Sequence, residues 1–241
     1  MKKILSKIFW YSISSKEKVE KYQQIIRDEE WEQIKDYIPK NSKFIDVGCG
    51  AGYSLMRAKI DLNCEVEGID ADPGAHGVGR FVKKIVDPIS IKQGFAEKLP
   101  YEDATFDVVY SSHVLEHLHP EDAIDQVQEI CRILRKGGKY ICITPNGING
   151  PHDISRFYGN DLVGFHLKEY LPSELKKLFI GAGFKRVRAY MMVKKRPIYI
   201  SIRLIRLIEI VLYFFPTKTR KKLCHFSILK RINNTIINAI K

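Results

Sequence analysis

The sequence predicts an α/β fold built on a mostly parallel sheet, and three observations carry that prediction. Short apolar runs alternate with helix-length amphipathic stretches in the order KFIDVG, helix, CEVEGID, FDVVYSS, helix, KYICIT, the rhythm of strands joined by crossover helices. Glycines cluster where the first strand gives way to a helix, at Gly48, Gly50 and Gly52. An acid, Asp70, ends the second strand, 22 residues after Gly48.

The elements follow in order. Residues 16–38 place Tyr22, Ile25, Ile26, Trp31, Ile34 and Ile38 at roughly helical spacing until Pro39 stops the pattern, so a helix is expected to enter the domain there. A second helix is expected from about Tyr53. A third runs from Pro120 to Arg135, with Pro120, Glu121 and Asp122 in its first turn and Lys136-Gly137-Gly138 closing it. LPSELKKLFIGAG, residues 171–183, repeats the device before the strand-like FKRVRAYMMV. The expected division is an N-terminal helical segment 1–40, a domain 41–193 and a C-terminal extension 194–241.

Charge separates the last two. Residues 1–193 carry 28 Lys+Arg against 27 Asp+Glu, whereas residues 194–241 carry 12 basic residues against Glu209 alone. The five cysteines are odd in number and lack C-x-x-C spacing, which points to a reducing, cytoplasmic compartment. Lys7 interrupts the apolar start MKKILSKIFWY and no small-residue cleavage site follows, so no signal peptide is expected.

The glycine cluster lets the backbone turn sharply and lets a ligand approach the free N–H groups of a helix start. A nucleotide-like cofactor is implied, but the pattern is G-x-G-x-G, with Tyr53 in place of the last glycine of the dinucleotide fingerprint. Asp70 suits the hydroxyls of a ribose; its alternative is a turn residue in DADPG, a role that fits Asp72 better.

FIDVGCGAGY, VEGIDADP, GFAEKLPYEDATFDVVYSSHVLEHL and EICRILRKGGKYICITPNG, in that order and spacing, resemble the successive motifs of class I S-adenosylmethionine-dependent methyltransferases over about residues 40–147. The resemblance implies a Rossmann-like, seven-stranded sheet with one antiparallel strand, and S-adenosylmethionine over the carboxyl ends of the strands. It implies that Asp46 and the loop Gly48, Cys49, Gly50 and Gly52 hold the methionine end, and Asp70 the ribose. Ala96 would offer its N–H to the adenine beside Glu97, while Phe95 stands where many relatives have an acid. Ser111, Ser112 and His113 would line the floor near the reactive methyl.

A sulfonium methyl is already activated, so such an enzyme chiefly holds the acceptor in line at about 3 to 3.5 Å and excludes water. A hydroxyl or carbon acceptor also needs a proton removed, and histidine is the usual base near neutral pH. His113 is a candidate base or acceptor contact, with a merely pocket-shaping role as its alternative. His117, in EHL, reads as structural. The polar segment PNGINGPHDISRFYGNDLVGFHLKEYLPSEL reads as a long active-site loop in which His152, Asp153, Arg156, Tyr158 and His166 could read a polar acceptor and Tyr170 could close over it. The alternative has His152 and Asp153 capping a turn and His166 packing on Tyr170. Arg156 with two histidines would suit an acidic or phosphorylated acceptor.

In the tail, IYISIRLIRLIEIVLYFF places Arg203, Arg206 and Glu209 on one polar stripe of an otherwise apolar helix. Three charges in that length oppose a membrane span. The helix is expected either to lie on an anionic membrane surface with Lys218, Arg220, Lys221 and Lys222, or to pack against protein. The basic apolar start, Lys2, Lys3, Ile4, Leu5, Ile8, Phe9 and Trp10, would add a second contact to such a surface. The tail lacks the aromatic and polar interleaving of base-reading surfaces, which argues against nucleic acid. The expected function is O-methylation of a small-molecule or glycan-like acceptor at the cytoplasmic face of a membrane. Its rivals are methylation of a lipophilic quinone-type ring, RNA methylation, and a non-catalytic membrane or partner adaptor.

Overall fold

The computed structural model describes residues 27–50, 52–71, 89–193, 196–226 and 236–241. Tyr22, Ile25 and Ile26 of the first helix, the basic start and Asp72 lie outside the described residues. A helix, α1, covers residues 27–34. Then follow β1 (Lys43–Val47), α2 (Tyr53–Leu62), β2 (Glu65–Asp70), β3 (Ser90–Gln93), β4 (Phe106–Ser112), α3 (Pro120–Ile133) and β5 (Leu134–Ile143). The chain continues through α4 (Pro172–Gly181), β6 (Arg186–Val193), β7 (Arg196–Ile200), α5 (Ile202–Tyr213), α6 (Thr217–Cys224) and β8 (Ile236–Ile240).

Among the described residues the strands form one sheet in the order β3-β2-β1-β4-β5-β8-β6-β7. β3, β2, β1, β4 and β5 are parallel; β8 is antiparallel to both β5 and β6, and β7 is antiparallel to β6. The sheet of the described residues therefore has eight strands where seven are expected, because Arg196–Ile200 pairs antiparallel with β6 at the edge. The boundary at residue 193 does not coincide with the edge of the sheet. IINAI at residues 236–240 sits between β5 and β6 with Ile236, Ile237, Asn238 and Ala239 buried, as a strand covered on both faces must be.

α3 ends two residues earlier than expected, and Lys136-Gly137-Gly138 belongs to the irregular start of β5 rather than to a helix cap. Two packed layers cover the sheet. Val127 and Ile130 of α3 meet Phe179 of α4 and Tyr140 of β5 on one face; Trp31 and Ile34 of α1 meet Leu55 and Ala58 of α2 on the other. Burying a side chain the size of Phe179 contributes about 1.5–3 kcal/mol.

α5 divides its apolar surface between two environments. Ile202, Ile205 and Leu212 pack inward, while Leu204, Leu207 and Val211 face outward, more than half exposed. The expected polar stripe is broken at Glu209, which is buried and accepts the N–H of Ser173 in the first turn of α4 at 3.3 Å. Among the described residues no helix is long and apolar enough to cross a membrane.

Removing residues 236–241 takes a central strand from the sheet and leaves β5 and β6 unpaired along one side each. The shortened chain is expected to lose its cooperative thermal transition, followed by circular dichroism; a sharp melt would show that β8 is dispensable.

Candidate active site

The site begins at the carboxyl end of β1, where the chain turns into α2. Gly48, Gly50 and Gly52 all have positive φ, at 79, 49 and 77 degrees. At Gly48 a β-carbon would also collide with the Val114 side chain, so neither the conformation nor the space admits another residue. The turn is fastened to β2: the N–H groups of Gly48 and Cys49 donate to Ile69 O at 2.8 and 3.2 Å, and that of Gly50 donates to Asp70 Oδ2 at 2.9 Å. Asp70 thus shapes the loop as well as facing the strand ends.

Beside this turn lies a cleft of about 300 Å³, walled by Asp46, Gly48, Cys49 and Gly50, by Ser112 and His113 past β4, and by Arg27, Glu30 and Trp31 of α1. Asp46 is buried. Its Oδ2 accepts the Ser54 hydroxyl, its Oδ1 finds no partner among the described residues, and burial pushes its carboxyl up to about 7, with Asp70 and Glu30 adding to the rise. An orphaned carboxylate oxygen in a cleft of glycine turns is a receptor for a cationic donor.

His113 occupies the opposite wall with φ of 56 degrees, its Nε2 3.3 Å from Glu30 Oε1 and its Nδ1 3.0 Å from Glu116 Oε1. Burial alone would lower its pKa, but the two carboxylates prevail and raise it to about 10. The imidazole is therefore a cation at neutral pH, with both nitrogens donating and no lone pair to accept a proton. Ser112 Oγ donates to the same Glu30 at 3.2 Å. Ser111 is not at the floor: it is buried on the other face of β4, bonded to the Tyr140 hydroxyl at 2.8 Å. Ala96 and Glu97 stand in the turn after β3, next to Asp70 at the carboxyl ends of β2 and β3 but outside the cleft wall, and Phe95 is largely exposed.

The post-β5 loop gathers a second set of groups around Glu169, which is almost fully buried. Its Oε1 accepts the His152 N–H and lies 2.6 Å from His166 Nδ1, and its Oε2 lies 2.8 Å from His152 Nδ1. Gly150 closes over this carboxylate, where a β-carbon would strike it, and Gly147 lies as closely against the Glu169 backbone carbonyl. The His166 ring meets the His117 ring edge-on with centroids 5.0 Å apart, and His117 Nδ1 pairs with Phe165 O at 3.0 Å. Neighbouring Glu116, bonded to His113 and to Thr144, completes a line of carboxylates and imidazoles from the cleft to Glu169.

Asp153 has the capping role: its carboxylate accepts N–H groups of Ser155, Phe165 and His166, and these bonds hold it down to about 2 despite the opposing effect of burial. Arg156 stacks on Phe157, Tyr158 is exposed, and Tyr170 is buried and bridged to Asn146 rather than packed on His166. The sequence reading missed Arg27, Glu30, Glu116 and Glu169. Only the helical spacing of Trp31 and Ile34 hinted that Glu30 borders a buried face.

A family model described as a methyltransferase domain matches residues 45–142. A probable S-adenosylmethionine-dependent methyltransferase of Mycolicibacterium smegmatis is 34% identical over 143 residues, 58% of this chain and 51% of that protein. A tRNA U34 carboxymethyltransferase of Shewanella frigidimarina is 34% identical over 122 residues, 48% of this chain and 36% of its own. The chain spans about half, or less, of the length of these relatives. Among solved structures, a SAM-dependent methyltransferase from Archaeoglobus fulgidus superposes with a TM-score of 0.56 at 21% identity, covering 89% of this chain and 94% of that one. With the strand order, the glycine turn and the acids at the ends of β1 and β2, these likenesses place a methyltransferase domain at residues 45–142 and make the chain similar to S-adenosylmethionine-dependent methyltransferases.

Proposed function

We propose that the chain transfers a methyl group from S-adenosylmethionine to a hydroxyl of a small-molecule or glycan-like acceptor, at the cytoplasmic face of a membrane. The observation that carries the cofactor is the buried, unpartnered Oδ1 of Asp46 beside the glycine turn, which suits an α-ammonium group. The start of α2 suits the cofactor's carboxylate, Asp70 its ribose, and the Ala96-Glu97 turn the edge of its adenine. When bound, the cofactor supplies an activated sulfonium methyl.

The chain's own residues then have to orient the acceptor and take its proton. His113, already charged, fixes Glu30 and Glu116 and offers no acceptor site. His166 suits the base: Glu169 takes its Nδ1 proton side and leaves Nε2 to accept, while His152 steadies the carboxylate from the other oxygen. The outward face of α5 supports the membrane part. Leu204, Leu207, Val211 and Phe214 are exposed beside Arg203, Arg206, Lys218 and Lys222, an apolar stripe with cations at headgroup reach.

Three outcomes test the reading. Below pH 7 Asp46 is protonated in the free protein, and a bound ammonium favours the carboxylate, so binding releases a proton. Calorimetry should therefore show S-adenosylmethionine affinity rising by up to about tenfold per pH unit to about pH 7 and levelling above it, with Asp46→Asn flattening the slope. No heat at millimolar cofactor would end the enzyme reading. Against a panel of polyhydroxylated acceptors and labelled cofactor, His166→Gln should lower kcat by about 10²–10⁴-fold with cofactor affinity unchanged; unaltered turnover removes His166 from the base role. On phosphatidylglycerol vesicles, the pair Leu207→Glu and Val211→Glu should strip the protein from the floating fraction, and unchanged flotation rejects the membrane surface.

A further inference from the structure

The post-β5 loop and the tail helices meet along a polar seam that shares only Glu169 with the groups proposed above for methyl transfer. It opens into a cleft of about 330 Å³ whose walls include Asp161 and Glu169 from the loop and Tyr213, Thr217 and Arg220 from α5 and α6. Ile148 of the loop packs with Leu212 of α5 and Cys224 of α6, and Lys221 Nζ donates to Asn160 Oδ1 at 3.1 Å, so the loop and both helices are joined here.

Two buried polar atoms here have no partner among the described residues: Nε of Arg220 and, next to the cleft's Gly150, Oδ1 of Asn149. Each costs roughly 1–3 kcal/mol while unsatisfied, and one is a donor and the other an acceptor. The Arg220 guanidinium lies 4.5 Å from the centre of the Tyr213 ring, which is half exposed.

We infer that this seam is a subsite for a saccharide unit of the acceptor that does not itself react. Hydroxyl groups both donate and accept, and the cleft walls carry carboxylates, a guanidinium and a threonine residue, while the half-exposed Tyr213 ring adds apolar surface for the C–H groups of a sugar. A phosphate fits poorly, since two carboxylates stand beside one guanidinium. Glu169 forms part of this cleft and also ends the carboxylate–imidazole line from His113, so an extended glycan lying along His117 and His166 would touch both places. The inference rests on the glycan-like reading of the acceptor and adds where its second sugar sits.

The test is saturation-transfer NMR on the full chain, without cofactor, with neutral disaccharides of gluco, galacto, manno and rhamno configuration. At least one should take up saturation. Arg220→Ala and Tyr213→Ala should each weaken its binding by about tenfold, whereas Tyr213→Phe, which keeps the ring, should retain it. No saturation of any member by the wild-type chain, or equal binding in both alanine variants, overturns the subsite. Because cofactor plays no part in the readout, a chain that binds a disaccharide here but not S-adenosylmethionine refutes only the enzyme reading. One that methylates a glycan yet leaves this cleft empty refutes only the subsite.

Discussion

The position of β8 constrains everything after β6. Ile237 pairs with Cys142 of β5 on one side and with Ala189 of β6 on the other. β7, antiparallel to β6, brings Ile200 to the other side of the same Ala189. The chain therefore leaves β7 level with the start of β8 but on the far side of β6, and it must pass over the sheet from the edge to the interior before β8 can begin. α5 and α6 lie in that connection, and Lys221 of α6 bonds Asn160 of the post-β5 loop. Helices that read as an appendage in the sequence join an edge strand to a central one.

Buried charge explains the arrangement within the site. Glu116 and Glu169 are both nearly inaccessible, and an isolated carboxylate at such a position costs several kcal/mol. Each is answered by histidine: Glu116 by His113 with Thr144, Glu169 by His152 and His166. The two sets differ in one respect that separates their chemistry. His113 lies between two carboxylates and is held protonated, whereas His166 spends only Nδ1 on Glu169. Identical side chains, far apart in sequence, thus differ: one is a fixed cation, and the other keeps the nitrogen that the proposed base role requires.

What the sequence made legible was local. Asp46, Gly48, Gly50 and Asp70 belong to a strand–turn–helix–strand unit recognisable from spacing, and the structure holds it by bonds within that unit, Gly48 to Ile69, Gly50 to Asp70 and Ser54 to Asp46. Ser111 and Ser112 show where locality falls short. Alternation along β4 allows only one of two adjacent serines to face the cleft, but sequence alone does not say which. Glu30 comes from 82 residues before Ser112, and Glu169 from 17 after His152, with no motif linking them. IINAI is short and unpunctuated, and its pairing partners are distant in sequence, so neither its length nor its composition marks a central strand. Glu209 read as part of a solvent stripe because a helical wheel does not reveal a neighbouring helix start that can accept a carboxylate.

The same topology bears on why α5 keeps an apolar outer face. A connection passing over the domain needs only one buried face, and Ile202, Ile205 and Leu212 supply it. Leu204, Leu207 and Val211 add nothing to that packing, and a contiguous apolar stripe on a surface invites aggregation unless something covers it. The charge distribution supplies the complement: residues 1–193 are close to neutral, while the tail concentrates its 12 cations against a single acid that is itself turned inward. Of those cations Arg203, Arg206, Lys218, Arg220, Lys221 and Lys222 lie on α5 and α6, and on the membrane reading proposed above they are the groups that would draw an anionic surface there. Because Lys221 bonds Asn160 of the post-β5 loop, such a surface would lie next to that loop.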